Sequence, residues 1–250
     1  MPGDIRPRRS VLYMPGSNAR ALEKGRTLAA DALILDLEDA VAPDAKDLAR
    51  DQVMAALAEG GYGARELVIR VNGPDSPWGR DDLAAVAASG AHAVLLPKVD
   101  GAGAVAEAVA VLDANGAPGD LAVWCMMETP LGMLHAEEIA SADGRVACLV
   151  MGTSDLAKDL HAAHTRDRLP LLTGLSLCLL AARAYGVAIV DGVHLDLADD
   201  EGFAHSCRQG AELGFDGKTL IHPKTIARSE EHSLNSSHDQ NSDAVFCLKK

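Results

Sequence analysis

Two segments near the middle of the chain, LAVWCMMETPLGM (Leu121–Met133) and VACLVMGTSDLAKDL (Val146–Leu160), decide how the rest of the sequence is interpreted. Each begins as a short apolar run and ends in polar residues that are punctuated by Gly or Pro. This pattern is typical of a buried parallel strand that emerges into a loop. We therefore expect Glu128 and Asp155 to lie where two successive strands end.

Carboxylates at neighbouring strand ends, beside the loop 152–154, would form a hard oxygen site. Such a site suits Mg²⁺, or Mn²⁺, rather than zinc. The structural alternative is that Glu128 caps a helix starting near Pro130 and that Asp155 caps a helix starting near Leu156. The residues alone leave both interpretations open.

The same order of apolar strand and amphipathic helix recurs along the whole chain. Seven helical segments alternate with eight predicted strands, which calls for parallel strands joined by right-handed crossovers. Eight such units favour a TIM (β/α)8 barrel, and no GxGxxG follows the first strand to indicate a doubly wound sheet. Besides the two strands quoted above, the predicted strands span 10–16, 32–37, 66–73, 93–99, 187–194 and 215–223.

Polar residues fall near the C-terminal end of almost every predicted strand, where barrels of this type carry their active sites. Arg70, which is always charged and has a forked set of donors, is suited to a substrate carboxylate or a developing oxyanion. Its alternative role is an ion pair with Glu38 or Asp39. For Lys98 and His222 we favour structural roles, as a rim ion pair and as a hydrogen-bonded barrel-end histidine. The full set is Glu38, Asp39, Arg70, Lys98, Glu128, Asp155, Asp191 and His222.

Composition limits the classes of partner and compartment. The 250 residues are 48% hydrophobic and carry a formal net charge of −13, which argues against nucleic acid or an anionic membrane as a partner. No apolar stretch reaches the roughly 18 residues of a membrane span, and the N-terminus has no apolar signal core. The five cysteines lack CxxC spacing and are expected to be reduced. These features predict a cytoplasmic protein.

The last stretch, SEEHSLNSSHDQNSDAVFCLKK (Ser229–Lys250), differs in kind because it is polar and has no periodicity. It resembles a translated sequencing-library adapter, and a natural disordered tail is the alternative. We therefore assign 1–228 to the barrel domain and 229–250 to a foreign or disordered tail that packs against nothing. The last barrel helix and any C-terminal lid are then expected to be truncated.

Eight blocks of sequence, in order, carry a resemblance to a known family. The chain resembles the citrate lyase β-subunit-like group of the HpcH/HpaI aldolase superfamily, and within it the malyl-CoA lyase and (3S)-malyl-CoA thioesterase enzymes. The resemblance implies a TIM barrel that forms trimers or hexamers and acts on short acyl-CoA esters with Mg²⁺. The blocks are RRSVLYMPGSNARALEK, ADALILDLEDAVAPDAK, VIRVNG, LLPKV, MMETPLGM, MGTSDLAKDL, IVDGVH and GFDGKTLIHP.

The resemblance also implies roles for individual residues. Glu128 and Asp155 match the family's metal ligands, Arg70 its substrate-binding arginine, and Tyr13 and Lys24 its CoA contacts. Arg70, Glu128 and Asp155 are thus the expected catalytic residues.

Other positions of this chain support or depart from the family pattern. Glu38 and Asp39 are expected to orient Arg70 or waters on the metal. Ser154 stands where an asparagine is common, and Asn18 stands where the lyases often have an arginine, which removes one expected phosphate contact.

The expected reaction is hydrolysis of (3S)-malyl-CoA to malate and CoA. The alternative is CoA-ester lyase chemistry, in which a retro-Claisen cleavage releases acetyl-CoA and glyoxylate or a related 2-oxo acid. Without a lid, water would reach a thioester polarised beside Mg²⁺ and Arg70, which favours hydrolysis. Two competitors are a catalytically silent barrel that binds CoA esters and an aldolase that acts on free acids.

Overall fold

The computed structural model describes residues 6–231, and its centre is a closed barrel of eight parallel strands in sequence order. Pairing of the first strand with the last, from Ser10↔Lys218 to Leu12↔Leu220, closes the sheet. This confirms the predicted TIM barrel. The strands are β1 (Ser10–Pro15), β2 (Ala32–Asp36), β3 (Glu66–Arg70), β4 (Ala93–Leu96), β5 (Ala122–Met127), β6 (Val146–Met151), β7 (Ala188–Asp191) and β8 (Gly217–Leu220).

Helices surround the barrel, and short additional helices follow β5 and β6 at the end of the barrel where the strands stop. None of the helices within residues 6–231 is long and apolar enough to cross a bilayer. The helices are α1 (Ala19–Gly25), α2 (Lys46–Glu59), α3 (Gly79–Ala87), α4 (Ala102–Ala114), α5 (Pro130–Leu134), α6 (Ala136–Ala140), α7 (Thr153–Asp159), α8 (Leu172–Tyr185) and α9 (Asp200–Leu213).

The core has two parts because successive side chains of a strand point to opposite faces of the sheet. One face packs against the helices in a large apolar layer that includes Leu33, Leu35 and Ile69. The other face fills the barrel interior. Its buried residues are Val11, Ala32, Ile34, Val68, Ala93, Leu95, Trp124, Met126, Cys148, Val150 and Val190.

The N-terminal end of the barrel is closed by an ion pair that packs on an aromatic ring. Arg8 donates from Nε and Nη2 to the Glu66 carboxylate at 2.7 and 2.8 Å, and its guanidinium carbon lies 4.9 Å from the centre of a Trp124 ring. Trp124 is fully buried. Since this end is filled, the polar residues at the opposite strand ends line the barrel mouth.

The prediction that the chain packs against nothing from Ser229 onward is wrong for Ser229 and Glu230. A helix that follows the 3-10 turn Pro223–Thr225 runs through 226–231. Ser229 is 1% exposed and donates from Oγ to the Arg9 carbonyl at 2.9 Å, while Ser10 Oγ donates to Glu230 at 2.6 Å. The barrel domain therefore continues past residue 228. The proposed foreign origin of 232–250 concerns residues that lie outside those described.

Candidate active site

A buried ion pair between the last residues of β2 and β3 anchors one side of the barrel mouth. Asp36 and Arg70 are partners in the parallel register of these strands. Arg70 donates from Nε and Nη2 to the two Asp36 oxygens at 2.7 and 2.6 Å, and both side chains are almost fully buried. Asp36 also accepts the backbone N–H groups of Glu38 and Ala40 at 2.9 and 3.2 Å. The Asp36 carboxylate therefore fixes both the arginine and the loop that follows β2.

The role of Asp36 was not evident from the sequence. The available signal was its position, because it ends the strand beside the one that Arg70 ends.

Three more side chains surround the Arg70 guanidinium. Arg70 Nη1 lies 3.1 Å from Glu38 Oε2 and 3.6 Å from Asp39 Oδ2, and its guanidinium carbon lies 4.9 Å from the centre of the Tyr13 ring. Burial opposes the charge of Arg70, but the hydrogen bonds and charge of Asp36 outweigh it and raise its pKa. Of the five guanidinium N–H groups, those facing Asp36 and Glu38 account for three. The remaining two make no hydrogen bond to another residue of 6–231, and Asp39 Oδ2 lies 3.6 Å from Nη1.

Glu128, the first residue after β5, lies across the mouth and is 2% exposed. Its Oε1 accepts the backbone N–H of Lys98 at 2.8 Å. A Cβ at Gly152 would lie 2.4 Å from Glu128 Cβ and 2.5 Å from Oε2, so the close approach of β6 requires glycine there. Oε2 consequently faces the start of α7, which carries Asp155.

Burial raises the pKa of Glu128 to about 7. The Lys98 N–H and the charge of Arg70 oppose that increase, whereas the charges of Asp155 and Glu38 add to it. Burial also raises the pKa of Glu38, against the opposing charge of Arg70. A cation placed between these carboxylates would therefore relieve an unfavourable concentration of negative charge.

Neither Glu128 nor Asp155 caps a helix. Thr129 caps α5 by accepting the Gly132 N–H at Oγ1, at 3.0 Å, and Gly152 occupies the N-cap position of α7. Asp155 lies in the first turn of α7, and its carboxylate makes no hydrogen bond or ion pair to any other residue of 6–231. Its oxygens are thus free to bind a ligand.

The donor set fits a magnesium ion. Five carboxylates face the mouth, and the cations near them are Arg70, Lys98 and the buried Lys46, so a divalent ion would offset the remaining negative charge. The described residues contain no cluster of three or more Asp, Glu, His or Cys arranged around one metal position. A protein usually binds Mg²⁺ through one or two carboxylates, and water or substrate oxygens complete the coordination shell. Glu128 and Asp155 could supply those two.

The remaining predicted residues have diverse environments. Lys98 Nζ lies 3.3 Å from Glu38 Oε1, which is the expected rim ion pair, and His222 Nδ1 accepts the Lys224 N–H at 3.1 Å. Lys24 lies in the last turn of α1 with an exposed side chain. No hydrogen bond or ion pair within the described part of the chain joins Lys24 to the Arg70 cluster.

The expectation that Asp191 belongs to the mouth is wrong. Val190 points into the barrel, so Asp191 points outward toward α9, where its Oδ2 would lie 3.0 Å from a Cβ on Gly210. It accepts from Arg168 Nη1 at 2.6 Å and from Lys218 Nζ at 2.9 Å. Burial opposes its charge, but these two cations lower its pKa. Asp191 is therefore part of a structural ion-pair cluster between the barrel and its helices.

Together, fold and site define a TIM-barrel protein with two available carboxylates and a buried arginine at its mouth. The chain belongs to the HpcH/HpaI aldolase/citrate lyase family, whose model matches residues 9–223.

Comparison with known proteins gives relatives whose names include a thioesterase and a citrate lyase subunit. The chain is 54% identical over 225 residues to a (3S)-malyl-CoA thioesterase of Cereibacter sphaeroides, which covers 90% of this chain and 76% of the relative. It is 39% identical to the citrate lyase subunit beta of Escherichia coli K12, over 88% of this chain and 75% of that protein.

A solved structure shares the fold at lower identity. The crystal structure of protein CitE from Mycobacterium tuberculosis, in complex with magnesium, acetoacetate and coenzyme A, matches with a TM-score of 0.76 and 31% identity. The match covers 91% of this chain and 80% of that chain.

Proposed function

We propose that this chain is a Mg²⁺-dependent enzyme that hydrolyses (3S)-malyl-CoA to malate and CoA. The observation that carries the proposal is the 54% identity, across 90% of the chain, to a protein named (3S)-malyl-CoA thioesterase. The intact site supports it, because Arg70, Glu128 and Asp155 all face the barrel mouth or its loops. A barrel without catalytic function would be free to lose any of them.

Each site residue has a distinct part in the proposed reaction. Glu128 and Asp155 would hold Mg²⁺, with Mn²⁺ as a chemical substitute, and the ion would supply Lewis-acid polarisation of substrate oxygens. The two free N–H groups of Arg70 would bind the malyl carboxylate or the oxyanion that develops from the thioester. Asp36 and Glu38 hold the guanidinium in position, so little reorganisation is needed when charge develops.

The CoA contacts are proposed for Tyr13 and Lys24. The exposed Lys24 ammonium is available to a phosphate, whereas Tyr13 already contacts Arg70 through its ring and Met126 through its hydroxyl, at 3.4 Å. Tyr13 would therefore bind the CoA ester from beside the arginine. The complex of CitE with coenzyme A supports an acyl-CoA substrate for this barrel.

A CoA-ester lyase is the alternative, and the 39% identity to a citrate lyase subunit beta favours it specifically. The same arginine and carboxylates would stabilise a thioester enolate after cleavage between the second and third carbons. The two reactions are separated by incubating the protein with (3S)-malyl-CoA and Mg²⁺ and resolving the products. Malate in excess of glyoxylate supports the thioesterase, and glyoxylate with acetyl-CoA in excess of malate supports the lyase.

The quaternary state and the compartment are also proposals. We expect self-association as a trimer or hexamer, as the family resemblance implies, and a monomeric mass in light scattering would contradict it. A cytoplasmic location agrees with the buried, unpaired Cys125, Cys148, Cys178 and Cys207.

A further inference from the structure

Lys98, which follows β4, has an unusual backbone. Its φ is +48°, in the left-handed region that residues other than glycine seldom occupy. Such a conformation persists only where the surrounding structure determines it, and it often occurs at functional sites. The two groups that Lys98 contacts in this conformation are both carboxylates of the candidate active site.

We propose that Lys98 is a positioning residue of the active site, which orients Glu128 through its backbone N–H and Glu38 through its ammonium group. The inference deepens the proposed function, because it rests on Glu128 as a ligand of the metal. It assigns Lys98 more than the rim ion pair that its sequence position indicates.

The backbone contact determines which Glu128 oxygen is available. The Lys98 N–H is 2.8 Å from Oε1, and Glu128 is almost fully buried, so water does not replace this donor. With Oε1 occupied, Oε2 lies over Gly152 and faces the start of α7. The left-handed turn at Lys98 therefore directs one Glu128 oxygen toward Asp155.

The side-chain contact connects the same residue to the arginine. Lys98 Nζ lies 3.3 Å from Glu38 Oε1, and the other Glu38 oxygen lies 3.1 Å from Arg70 Nη1. Glu38 is 8% exposed, and its Oε2 also accepts the Asp39 backbone N–H at 2.9 Å, which leaves Lys98 Nζ as the contact of Oε1. Lys98 thus orients the Glu38 carboxylate, which in turn contacts the Arg70 guanidinium.

Three substitutions separate the backbone role from the ammonium role. Lys98→Val opposes the left-handed backbone, because β-branched residues strongly avoid positive φ. Lys98→Gly adopts that backbone freely and keeps the N–H. Lys98→Met keeps the length of the side chain and the N–H but removes the charge. At His161, which has a φ of +52° and an exposed side chain that makes no hydrogen bond or ion pair to Glu128, His161→Val and His161→Gly are matched controls for backbone effects.

The readout is the dissociation constant of Mn²⁺, measured by electron paramagnetic resonance on the full chain, with thermal unfolding as the check of folding. We expect Lys98→Val to weaken Mn²⁺ binding at least tenfold, and Lys98→Gly, Lys98→Met and both His161 variants to remain within twofold of wild type. Wild-type affinity in Lys98→Val, or an equal loss in Lys98→Gly or Lys98→Met, would overturn the backbone role.

The ammonium role is measured by hydrolysis of (3S)-malyl-CoA at saturating Mg²⁺. Lys98→Met should lower kcat/KM about tenfold, and Lys98→Arg should restore most of it; wild-type kcat/KM in Lys98→Met would overturn this role. If wild-type protein binds no Mn²⁺, the metal site and this inference both fail. If it binds Mn²⁺ in the expected pattern but does not hydrolyse malyl-CoA, the proposed function and the ammonium role fail, and the backbone role of Lys98 stands.

Discussion

Replacing Glu128 by Gln should stabilise the metal-free protein at alkaline pH. Burial raises the pKa of Glu128 to about 7, compared with 4.5 for an ordinary glutamate. The folded protein therefore holds this proton more tightly than the unfolded chain does. The contribution of Glu128 to the free energy of unfolding is fully present below about pH 4.5 and is lost as the pH rises through 7. The difference between the two pKa values corresponds to a loss of about 3 kcal/mol. Gln has no charge, so it avoids the cost of burying an ionised carboxylate above pH 7. Its amide oxygen can still accept a hydrogen bond from the Lys98 N–H.

The assay is thermal unfolding of wild-type protein and Glu128→Gln in EDTA at pH 5 and pH 8. At pH 8 we expect a higher Tm for the variant by roughly 6 to 12 °C, because a domain of this size gains about 2 to 4 °C per kcal/mol. At pH 5 the difference should be small. Added Mg²⁺ should raise the Tm of wild-type protein and leave that of the variant unchanged, since only a ligand that binds the folded state stabilises it.

A lower Tm of the variant at pH 8, or an equal increase in Tm at both pH values, would contradict this prediction. Either result would mean that Glu128 is ionised without penalty in the folded protein. Asp44→Asn is a suitable control, because Asp44 is an exposed carboxylate in the 3-10 turn before α2 and should show no such dependence on pH.

Three further predictions concern Arg70, Asp36 and Gly152. Arg70→Lys keeps the charge but loses the planar fork of donors. The loss of transition-state stabilisation should raise the activation free energy for malyl-CoA by about 2 to 4 kcal/mol and lower kcat accordingly. A wild-type kcat in this variant would mean that Arg70 acts only as a point charge. Asp36→Ala leaves Arg70 buried without its main partner and should lower the free energy of unfolding in urea by about 3 to 5 kcal/mol, unlike Asp44→Ala. Gly152→Ala should displace Glu128 and abolish Mn²⁺ binding in a folded protein; unchanged affinity would contradict the close approach of β6.

The sequence by itself determined the barrel, because the signals that define its units are local. Each strand is a short apolar run and each helix an apolar stripe, and both can be recognised within about 15 residues. Eight repeats of this order leave few topologies open. The same local signals located Arg70 and Glu128 at strand ends, because a chain that leaves a buried strand becomes polar there, whereas Asp155 lies in the first turn of the helix that follows β6.

The sequence did not determine which residue caps α5. Contacts with neighbouring residues in the folded protein determine it. Both Thr129 and Glu128 precede Pro130, and either could have capped α5. The structure places Thr129 Oγ1 on the Gly132 N–H and places Glu128 against Gly152. Likewise, the polar composition after residue 228 indicated a tail, yet Ser229 is buried against Arg9.

Only the tertiary structure decided which face each strand-end residue occupies. Asp36 and Asp191 both end an apolar strand, but the first binds Arg70 at the mouth and the second binds Arg168 and Lys218 outside the barrel. In a strand that is buried on both faces, no alternation of polar and apolar residues marks the inner side. The partners are 34 residues apart for Asp36 and Arg70, and 30 residues apart for Lys98 and Glu128. Closure of the barrel sets the register that brings such distant residues together, and no local pattern encodes it.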